Sequence, residues 1–518
     1  MDSRRILVIA GSDSSGGAGL EADQKVIAAH GCYAMTATTA LTAQNTTGVV
    51  GIHPTPPDFV RKQIDACLDD VGVDVVKTGM LTSADIVNVV ADALKRHGVK
   101  TCIVDPVMVS TSGSQLLPPD AVRNLRENLI PLTTILTPNI PEAKLLLSDA
   151  GKTPTEPGTL EDVISLARSL HTLGSKYILL KGGHLPLTKD HHISTDDAEK
   201  EAVIDILFDG TNVTLIETPY LKARNTHGTG CSLASAIASN LVLGYDVQSA
   251  VRNACRYVEA GIKTSQDLGK GSGPINHFHS TYILPYTPDH FIDYLLEHPS
   301  VKAKWHEFTH HEFLTRLADG TLPENSFKHF LVQDYLYLVQ FARVHAMAAY
   351  KSETIDEIAA AAEIVLHIKR EMTLHLTYCT TFNLTQSEIE AHSPDTATKL
   401  YASHLLQTAH ARPLFHLRLA LLPCLLGYYA IAARMHADPA TVKGRYWKWI
   451  ENYVAEDYVQ AVDVGRADVE ARAKGGLGLR EVEEARMAFL GGLECEIRFW
   501  EQGLRGGMIV DMDGGVDG

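Results

Sequence analysis

Short runs of apolar, mostly β-branched residues alternate with amphipathic segments through the first part of the chain. Each run ends in glycine, proline or asparagine, residues that end a strand and begin a turn. Strands that alternate with helices predict βαβ units around a largely parallel sheet, with helices on both of its faces. We therefore predict an α/β domain over residues 1–280. The runs that carry this prediction are 6–11, 73–79, 100–106, 133–139 and 177–183.

The pattern changes after residues 281–290, a stretch with two prolines that we interpret as a linker. Beyond it glycine becomes rarer, and apolar residues recur with the period of an α-helix. This predicts an all-α helical bundle over 291–505 and a flexible tail over 506–518. The predicted helical segments are 299–318, 323–350, 354–380, 394–411, 412–435, 438–475 and 477–503.

Composition narrows the class of protein. A chain of 518 residues is too long for one hydrophobic core, which agrees with two domains. The net charge of −16 argues against a nucleic-acid partner, because phosphates need a basic surface. No apolar run reaches about 18 residues, so we expect no membrane span. The eight cysteines have no paired spacing, which indicates a reduced, cytoplasmic setting.

Glycine-rich turns follow the first strand and precede a late helix of the α/β half. Residues 11–19, GSDSSGGAG, would let a ligand approach the backbone closely. The stronger signal is 225–231, NTHGTGC, which begins a long apolar helix. Backbone N–H groups at a helix N-terminus bind anions, and phosphoryl transfer needs such a site. A plain helix cap is the alternative interpretation of this segment.

Two further strand ends carry candidate phosphate-site residues. Lys181 begins a Lys-Gly-Gly turn, and Asn139 and Glu142 follow a Thr-Pro pair. The spacing of Asn139 and Glu142 would suit a capping box equally well. No GxGxxG and no GxxxxGK[ST] follows a strand, so neither a dinucleotide-binding fold nor a P-loop is supported.

Over nearly all of residues 4–280, this half resembles the hydroxymethylpyrimidine kinase/phosphomethylpyrimidine kinase family of the ribokinase-like superfamily. The resemblance rests on an ordered set of motifs that includes AGSDSSGGAG, KTGML, TPNIPEA and NTHGTGC. It implies a kinase that uses ATP and Mg²⁺. The implied site residues are Gly11, Asp23, Gln44 and Val107 for the aminopyrimidine, Lys181, Gly228, Thr229 and Gly230 for ATP and the anion hole, and Asp105 and Glu142 for the metal.

Cys231 stands where sugar kinases of this superfamily usually have an aspartate base. The pyrimidine kinases look like this chain at that position, which favours a pyrimidine over a sugar. Cys231 is therefore a catalytic candidate, but a free thiol with a pKa near 8.5 would need a lower pKa to act as the base. A pyridoxal-type kinase is the alternative, and pocket residues such as Gln44 separate the two.

Catalytic candidates in the helical half lie far apart in the sequence. Asp334 interrupts an otherwise apolar helix, and Cys424 follows a proline in a second apolar segment. A buried tyrosine or cysteine in a bundle usually belongs to the core. A buried carboxylate is harder to explain in that way, because it needs a partner or a function.

The stretches FKHFLVQDYLYL, EMTLH, YASH, ALLPC and WIENY resemble the thiaminase II (TenA) family across about residues 290–505. The resemblance implies that Cys424 is the nucleophile and that Glu496 is the proton donor. A thiolate can add to an electron-poor pyrimidine when a ring nitrogen is protonated. The implied roles are aminopyrimidine binding by Asp334, activation of the cysteine by Tyr337, and a pocket lined by Tyr401, Tyr428 and Tyr453.

The two resemblances suit one chain because the product of one reaction is the substrate of the other. Hydrolysis of thiamine or aminomethylpyrimidine would give hydroxymethylpyrimidine, which the kinase would phosphorylate twice. We expect pyrimidine ligands, no nucleic acid, no membrane and a homo-oligomer. One rival hypothesis makes the helical half a non-catalytic pyrimidine-binding or oligomerising module, which Cys424 and Glu496 argue against. A second rival is a metal-dependent hydrolase, given 24 histidines, and residues 306–310, HEFTH, have the HExxH spacing that such an enzyme would use.

Overall fold

A computed structural model describes residues 4–513, apart from 109–116, 155, 184, 185, 189–191, 195 and 197. The chain forms two compact units, Met1–Thr281 and Tyr282–Gly518. Residues 281–290, predicted as the linker, lie in no helix or strand.

The N-terminal unit is built on a sheet. Its strands are β1 (Arg5–Ala10), β2 (Tyr33–Thr38), β3 (Ala40–Asn45), β4 (Gly48–Pro54), β5 (Val75–Thr78), β6 (Cys102–Val104), β7 (Ile135–Leu136), β8 (Tyr177–Leu180), β9 (Ala202–Phe208) and β10 (Val213–Pro219). Within the described residues, eight of them form one sheet in the order β10-β9-β8-β7-β6-β5-β1-β2, and β3 and β4 form a separate ribbon. Neighbours from β8 to β2 pair in parallel, whereas β9 is antiparallel to both of its neighbours.

Helices cover both faces of this sheet. They are α1 (Gly19–Ala29), α2 (Pro57–Ala66), α3 (Ala84–Arg96), α4 (Pro119–Asn124), α5 (Ile140–Asp149), α6 (Leu160–His171), α7 (Thr229–Val242) and α8 (Val247–Lys263). Alternate residues of β1 enter opposite cores. Leu7 and Ile9 pack in the core that α2 to α6 share, and Ile6 and Val8 pack in the core of α1, α7 and α8. The predicted fold class is confirmed.

The five predicted runs became β1 and β5 to β8, the centre of the sheet. Strands β2 to β4, β9 and β10 were not predicted. β2 and β10 lie at the two edges of the sheet, where fewer positions are buried. An edge strand therefore lacks the continuous apolar run that identifies a central parallel strand.

The C-terminal unit is helical. Its helices are α9 (Phe291–Glu297), α10 (Pro299–Thr309), α11 (Glu312–Ala318), α12 (Glu324–Lys351), α13 (Ile355–Thr380), α14 (Gln386–Ala391), α15 (Thr396–Ala411), α16 (Leu414–Ala437), α17 (Trp447–Tyr453), α18 (Glu456–Lys474) and α19 (Leu479–Asp513). The predicted segments 299–318 and 438–475 are each divided into two helices. α19 continues into the segment 506–518 that was predicted as a tail, because glycines 506 and 507 weaken a helix without ending it. Residues 514–518 lie outside the described residues.

Helix α16 is apolar and long enough to cross a membrane by length and composition alone. However, 67% of its most apolar window is buried inside the protein. Its apolar residues, such as Leu417, Leu422 and Ile431, belong to the core of the C-terminal unit. The apolar character of α16 is therefore explained by helix packing.

Candidate active sites

The carboxyl ends of the central strands surround a cleft of about 670 Å³ in the N-terminal unit. This is the edge of a parallel sheet at which ligands bind. Most of the residues predicted from the sequence line the cleft. They are Gly11, Gln44, Asp105, Val107, Glu142, Lys181, Gly228, Thr229, Gly230 and Cys231.

The glycine-rich turn before α7 forms one wall of the cleft. Gly228 caps the helix in the left-handed region, with φ of 78°. A Cβ at this position would lie 1.9 Å from the carbonyl oxygen of Gly17, so only glycine allows the two loops to meet. The first N–H groups of a helix have no partner within it, and the first residues of α7, Thr229 to Cys231, line the cleft together with Lys181.

Lys181 and two carboxylates form the charged wall of the cleft. Lys181 Nζ lies 2.7 Å from Asp105 Oδ1 and 4.0 Å from Glu142 Oε2. Glu142 also completes a capping box with Asn139, so the interpretation of this pair as a helix cap is confirmed. Burial raises the pKa of Glu142 to about 7, although Lys181 lowers it. An approaching cation would therefore favour the ionised carboxylate.

These carboxylates fit a magnesium ion that is held partly by its nucleotide. Within the described residues, no group of three or more His, Cys, Asp or Glu side chains could hold a metal ion alone. Mg²⁺ commonly takes one or two carboxylates and completes its shell with phosphate oxygens and water. Asp105 and Glu142 supply two such carboxylates on the wall of the cleft that also contains Lys181.

Asp23 does not lie on the wall of the cleft, so direct contact with the pyrimidine is not supported. Its side chain is fully buried, and Lys77 Nζ donates to both carboxylate oxygens at 2.9 and 2.8 Å. Ser235 Oγ donates to the same carboxylate at 2.7 Å. Although burial opposes it, Asp23 keeps the pKa of Lys77 above its usual value. The structure assigns Asp23 to an ion pair below the cleft.

Cys231 lines the cleft, and its surroundings favour the thiol over the thiolate. Burial raises the pKa of its thiol to about 11, although the charge of Lys77 lowers it. The lower pKa that a cysteine base would require is therefore absent in this arrangement. The location of Cys231 agrees with the prediction, whereas its role as a base is not supported.

A pair of residues that the sequence did not single out connects the two glycine-rich loops. His227 Nε2 lies 2.9 Å from Asp13 Oδ2, and the amide of Gln44 lies 3.4 Å from the same histidine nitrogen. Although burial raises it, hydrogen bonds from His227 and Ser15 lower the pKa of Asp13 to about 2. Asp13 lies in the motif GSDSSGGAG and His227 in the motif NTHGTGC. Their positions in these two motifs were the indication that the sequence offered for this contact.

The helical unit brings its predicted residues together from five helices. Tyr401 Oη donates to Glu496 Oε1 at 2.7 Å, which connects α15 to α19. The ring of Tyr401 stacks on that of Tyr337 from α12, with centroids 4.6 Å apart. The rings of Tyr428 and Tyr453, from α16 and α17, have centroids 4.9 Å apart. Residues that are distant in the sequence therefore form one aromatic cluster.

Cys424 and Glu496 lie next to each other within this cluster. Burial raises the pKa of Glu496 to about 7, although hydrogen bonds from Tyr401, Cys424 and Tyr428 lower it. Burial, together with the charge of Glu496, raises the pKa of the Cys424 thiol well above its usual range. The resting centre thus holds a thiol beside a carboxyl group that exchanges its proton near neutral pH.

Two polar atoms in the cluster have no hydrogen-bond partner among the described residues, Glu496 Oε2 and Tyr337 Oη. A buried polar atom without a hydrogen-bond partner destabilises the folded protein, so its presence needs an explanation, and a bound ligand would be one. Asp334 lies on the same side of α12 as Tyr337, and burial raises its pKa to about 6. Together these groups could bind a flat heterocycle that carries nitrogen donors and acceptors.

Tyr458 on α18 also lies near Cys424 and Glu496, and the sequence did not predict this position. Burial raises the pKa of the Tyr458 phenol, and the charges of Cys424 and Glu496 raise it further. Its hydroxyl donates to the carbonyl oxygen of Leu425 at 3.4 Å. In the sequence Tyr458 directly follows two exposed acidic residues, Glu456 and Asp457. No local pattern therefore predicted that its side chain lies near Cys424 and Glu496.

The two sites define a class of protein, an α/β unit of the phosphoryl-transfer type followed by a helical unit with a cysteine–glutamate centre. Residues 13–276 match the family model for phosphomethylpyrimidine kinase, and residues 298–506 match the TENA/THI-4/PQQC family. The chain belongs to the phosphomethylpyrimidine kinase family, with a TENA/THI-4/PQQC unit at its C-terminal side.

Similar proteins include two that match both units. The chain is 41% identical over 497 residues to the putative hydroxymethylpyrimidine/phosphomethylpyrimidine kinase 2 of Schizosaccharomyces pombe, covering 96% of this chain and 90% of that protein. It is 35% identical over 504 residues to hydroxymethylpyrimidine/phosphomethylpyrimidine kinase THI20 of Saccharomyces cerevisiae, covering 89% and 88%. A solved phosphomethylpyrimidine kinase from Clostridium difficile is 37% identical, with a TM-score of 0.41, over 49% of this chain and 97% of that one.

Proposed function

We propose that the N-terminal unit transfers phosphate from ATP to 4-amino-5-hydroxymethyl-2-methylpyrimidine and then to its monophosphate. The observation that carries this proposal is the glycine-rich N-terminus of α7, which faces Lys181 inside one cleft. The names of the relatives support a pyrimidine alcohol as the acceptor. The cleft also has an apolar part, with Val203, Val258 and Ile262, that would take the base of the nucleotide.

Phosphoryl transfer in this cleft would depend on positioning and charge. The backbone N–H groups of Gly230 and its neighbours would hold the transferred phosphate, and Lys181 would offset its negative charge. Asp105 and Glu142 would hold Mg²⁺, which neutralises phosphate oxygens when bound. The Cys231 thiol, whose pKa is raised to about 11, would line the acceptor pocket without acting as a strong base. A loose transition state needs little proton removal before the phosphate moves.

We further propose that the C-terminal unit hydrolyses thiamine or aminomethylpyrimidine to hydroxymethylpyrimidine. The observation that carries this part is Cys424 beside Glu496, with unpartnered oxygens on Glu496 and Tyr337. Glu496 would protonate the pyrimidine ring while the Cys424 sulfur bonds to it; the thiol gives up its proton to Tyr337, whose own phenolic proton passes to the departing group. The group on the methylene carbon then leaves, water adds to that carbon, and the sulfur is released.

We propose that the protein acts in the cytoplasm and that it forms a homo-oligomer. All eight cysteines are free, which suits a reducing compartment. Helix α13 exposes several large apolar side chains, as expected of a surface that another subunit covers. They are Ile355, Ile358, Ile364, Leu366 and Leu374. Light scattering of the purified chain would measure the number of subunits.

Mass spectrometry of the products tests both activities in one experiment. Aminomethylpyrimidine is offered to the full chain with and without MgATP. We expect hydroxymethylpyrimidine alone without the nucleotide, and its mono- and diphosphate with it. Cys424→Ser should stop the first reaction, whereas Cys379→Ser, at a buried cysteine of the same unit, should not. Failure to form hydroxymethylpyrimidine from both aminomethylpyrimidine and thiamine would refute the hydrolase, and failure to phosphorylate added hydroxymethylpyrimidine would refute the kinase.

A further inference from the structure

The side-chain amide of Gln44 lies between two hydrogen-bonding groups on the wall of the cleft in the N-terminal unit. One end of the amide is 3.4 Å from His227 Nε2, and the other end is 3.3 Å from Thr42 Oγ1. The backbone of Gln44 is also held, because Ser14 Oγ accepts from its N–H at 2.8 Å and donates to its carbonyl oxygen at 2.7 Å. The two ends of an amide have nearly the same shape, so their hydrogen-bond partners decide which end is the nitrogen and which is the oxygen.

His227 favours the oxygen at its end of the amide. Its Nε2 lies 2.9 Å from Asp13 Oδ2, and only 1% of Asp13 is exposed. Although burial raises it, hydrogen bonds lower the pKa of Asp13 to about 2, so this carboxylate is ionised and can only accept. His227 Nε2 must therefore carry a hydrogen. That hydrogen repels the N–H groups of an amide and attracts its oxygen, so the oxygen of Gln44 faces His227.

Thr42 favours the nitrogen at the other end. Its Oγ1 lies 2.8 Å from the backbone carbonyl oxygen of Ser12, which can only accept. The single hydroxyl hydrogen of Thr42 therefore points to Ser12, and the lone pairs of Oγ1 are left to accept from Gln44. The two contacts agree on one orientation of the amide. The opposite orientation would set hydrogen against hydrogen at His227 and lone pair against lone pair at Thr42.

An amide held in this way presents an acceptor and a donor side by side. A glutamine amide can then bind an amino group and the ring nitrogen next to it together, as glutamine binds the edge of adenine. An aminopyrimidine has the same pair of groups on one edge. Its amino group would donate to the Gln44 oxygen on the side of His227, and its ring nitrogen would accept from the Gln44 nitrogen on the side of Thr42.

We propose that His227 and Thr42 are positioning residues that hold the Gln44 amide in the one orientation that matches the amino group and ring nitrogen of an aminopyrimidine. Gln44 would contact the substrate, whereas His227 and Thr42 act through it. Asp13 and Ser12 in turn fix the hydrogens of these two residues, so the loop after β1 sets the specificity of the acceptor pocket. This inference rests on the proposed aminopyrimidine substrate of the N-terminal unit.

Two substrates that differ only on this edge test the proposal with the full chain. 4-Amino-5-hydroxymethyl-2-methylpyrimidine is compared with its 4-oxo analogue, whose neighbouring ring nitrogen carries a hydrogen. The analogue therefore accepts where the amino compound donates, and donates where the amino compound accepts. The value of kcat/KM for phosphorylation by MgATP is measured with both compounds. The chains compared are wild type, His227→Phe, Thr42→Val and the double variant, which remove one or both partners of the amide with little change in side-chain volume.

We expect wild type to favour the amino compound by about tenfold or more in kcat/KM, because a bidentate pair discriminates by roughly that factor. The ratio of the two values should fall by about threefold in each single variant and by at least about fivefold in the double variant, because a released amide can turn over and match the 4-oxo analogue. Thr42→Ser keeps the hydroxyl group and is the matched control, which should retain the wild-type ratio.

A wild-type ratio in the double variant would overturn the proposal, because a purely structural role lowers kcat/KM for both compounds by the same factor. If the double variant does not fold, the two single variants decide in the same way. Equal use of both compounds by wild type would overturn this inference and leave the proposed kinase standing. If wild type phosphorylates neither compound, the proposed kinase fails as well, and that outcome appears before any variant is compared.

Discussion

The substitution Asp23→Asn separates two explanations of a residue that the sequence placed against the pyrimidine. In the structure Asp23 instead pairs with Lys77, and neither side chain is exposed. Asparagine has nearly the same shape as aspartate but no charge, so the change leaves the Lys77 ammonium buried without its counter-ion. We expect the N-terminal unit to lose stability, with little direct effect on pyrimidine binding.

The size of the loss follows from the burial of the pair. Breaking a fully buried ion pair by removing one partner costs about 3–5 kcal/mol. For a unit of this size each kcal/mol lowers the unfolding temperature by roughly 2–4 °C, so the total decrease is roughly 6–20 °C. Ser235 would keep a hydrogen bond to the asparagine oxygen, which places the result in the lower part of that range.

Calorimetry of the full chain, together with hydroxymethylpyrimidine kinase kinetics, measures both effects. Tryptophan fluorescence follows the C-terminal unit alone, so a transition absent from that signal belongs to the N-terminal unit. Asp58→Asn is the matched control, because Asp58 pairs with Lys62 at 3.8 Å on an exposed helix surface. That exposed pair should contribute less than about 0.5 kcal/mol. The double change Asp23→Leu with Lys77→Met should recover much of the loss, since it leaves no buried charge unpaired.

An unchanged unfolding temperature combined with a tenfold or larger rise in KM for hydroxymethylpyrimidine would refute this reasoning. Asp23 would then contact the substrate as the resemblance implied, and the ion pair would be incidental. A double variant as unstable as the single one would also count against it, because the cost would not come from unpaired charge.

Three other predictions follow from the two centres. Cys424→Ser should lower the rate of hydrolysis by about 10³-fold or more while leaving phosphorylation unchanged. Cys231→Ala should lower the rate of phosphorylation by less than about tenfold. Product chromatography measures both effects. Gly228→Ala should lower kinase kcat at least about tenfold, because its Cβ would meet the Gly17 oxygen, and steady-state kinetics measure this. Glu496 must be protonated to act as the donor, so kcat/KM for hydrolysis should fall as pH rises through about 7; a fall towards acid pH instead would make it a base.

The sequence correctly predicted which residues of the α/β unit line one cleft where the fold itself brings them together. Lys181 and Asp105 each follow a central strand, and parallel strands end at one edge of the sheet, so knowledge of the strands was sufficient to place them. Asp23 lies one turn inside α1, where a helix can point a side chain either into the cleft or beneath it. Lys77 appeared as one letter of the motif KTGML, and nothing local showed that its ammonium is fully buried.

The helical centre shows a different limit. Helices pack through contacts between residues that are far apart in the chain, so periodicity predicts which face is buried but not which side chains meet. The resemblance supplied that information for Cys424 and Glu496, and the structure places them together. It did not supply Tyr458, which lies on α18 and has Cys424 and Glu496 among its electrostatic neighbours. The hydroxyl of Tyr458 donates to the carbonyl oxygen of Leu425 on α16, and this contact between two helices exists only in the folded chain. Residues whose contacts lie on another helix are therefore the ones that sequence reasoning is least able to find.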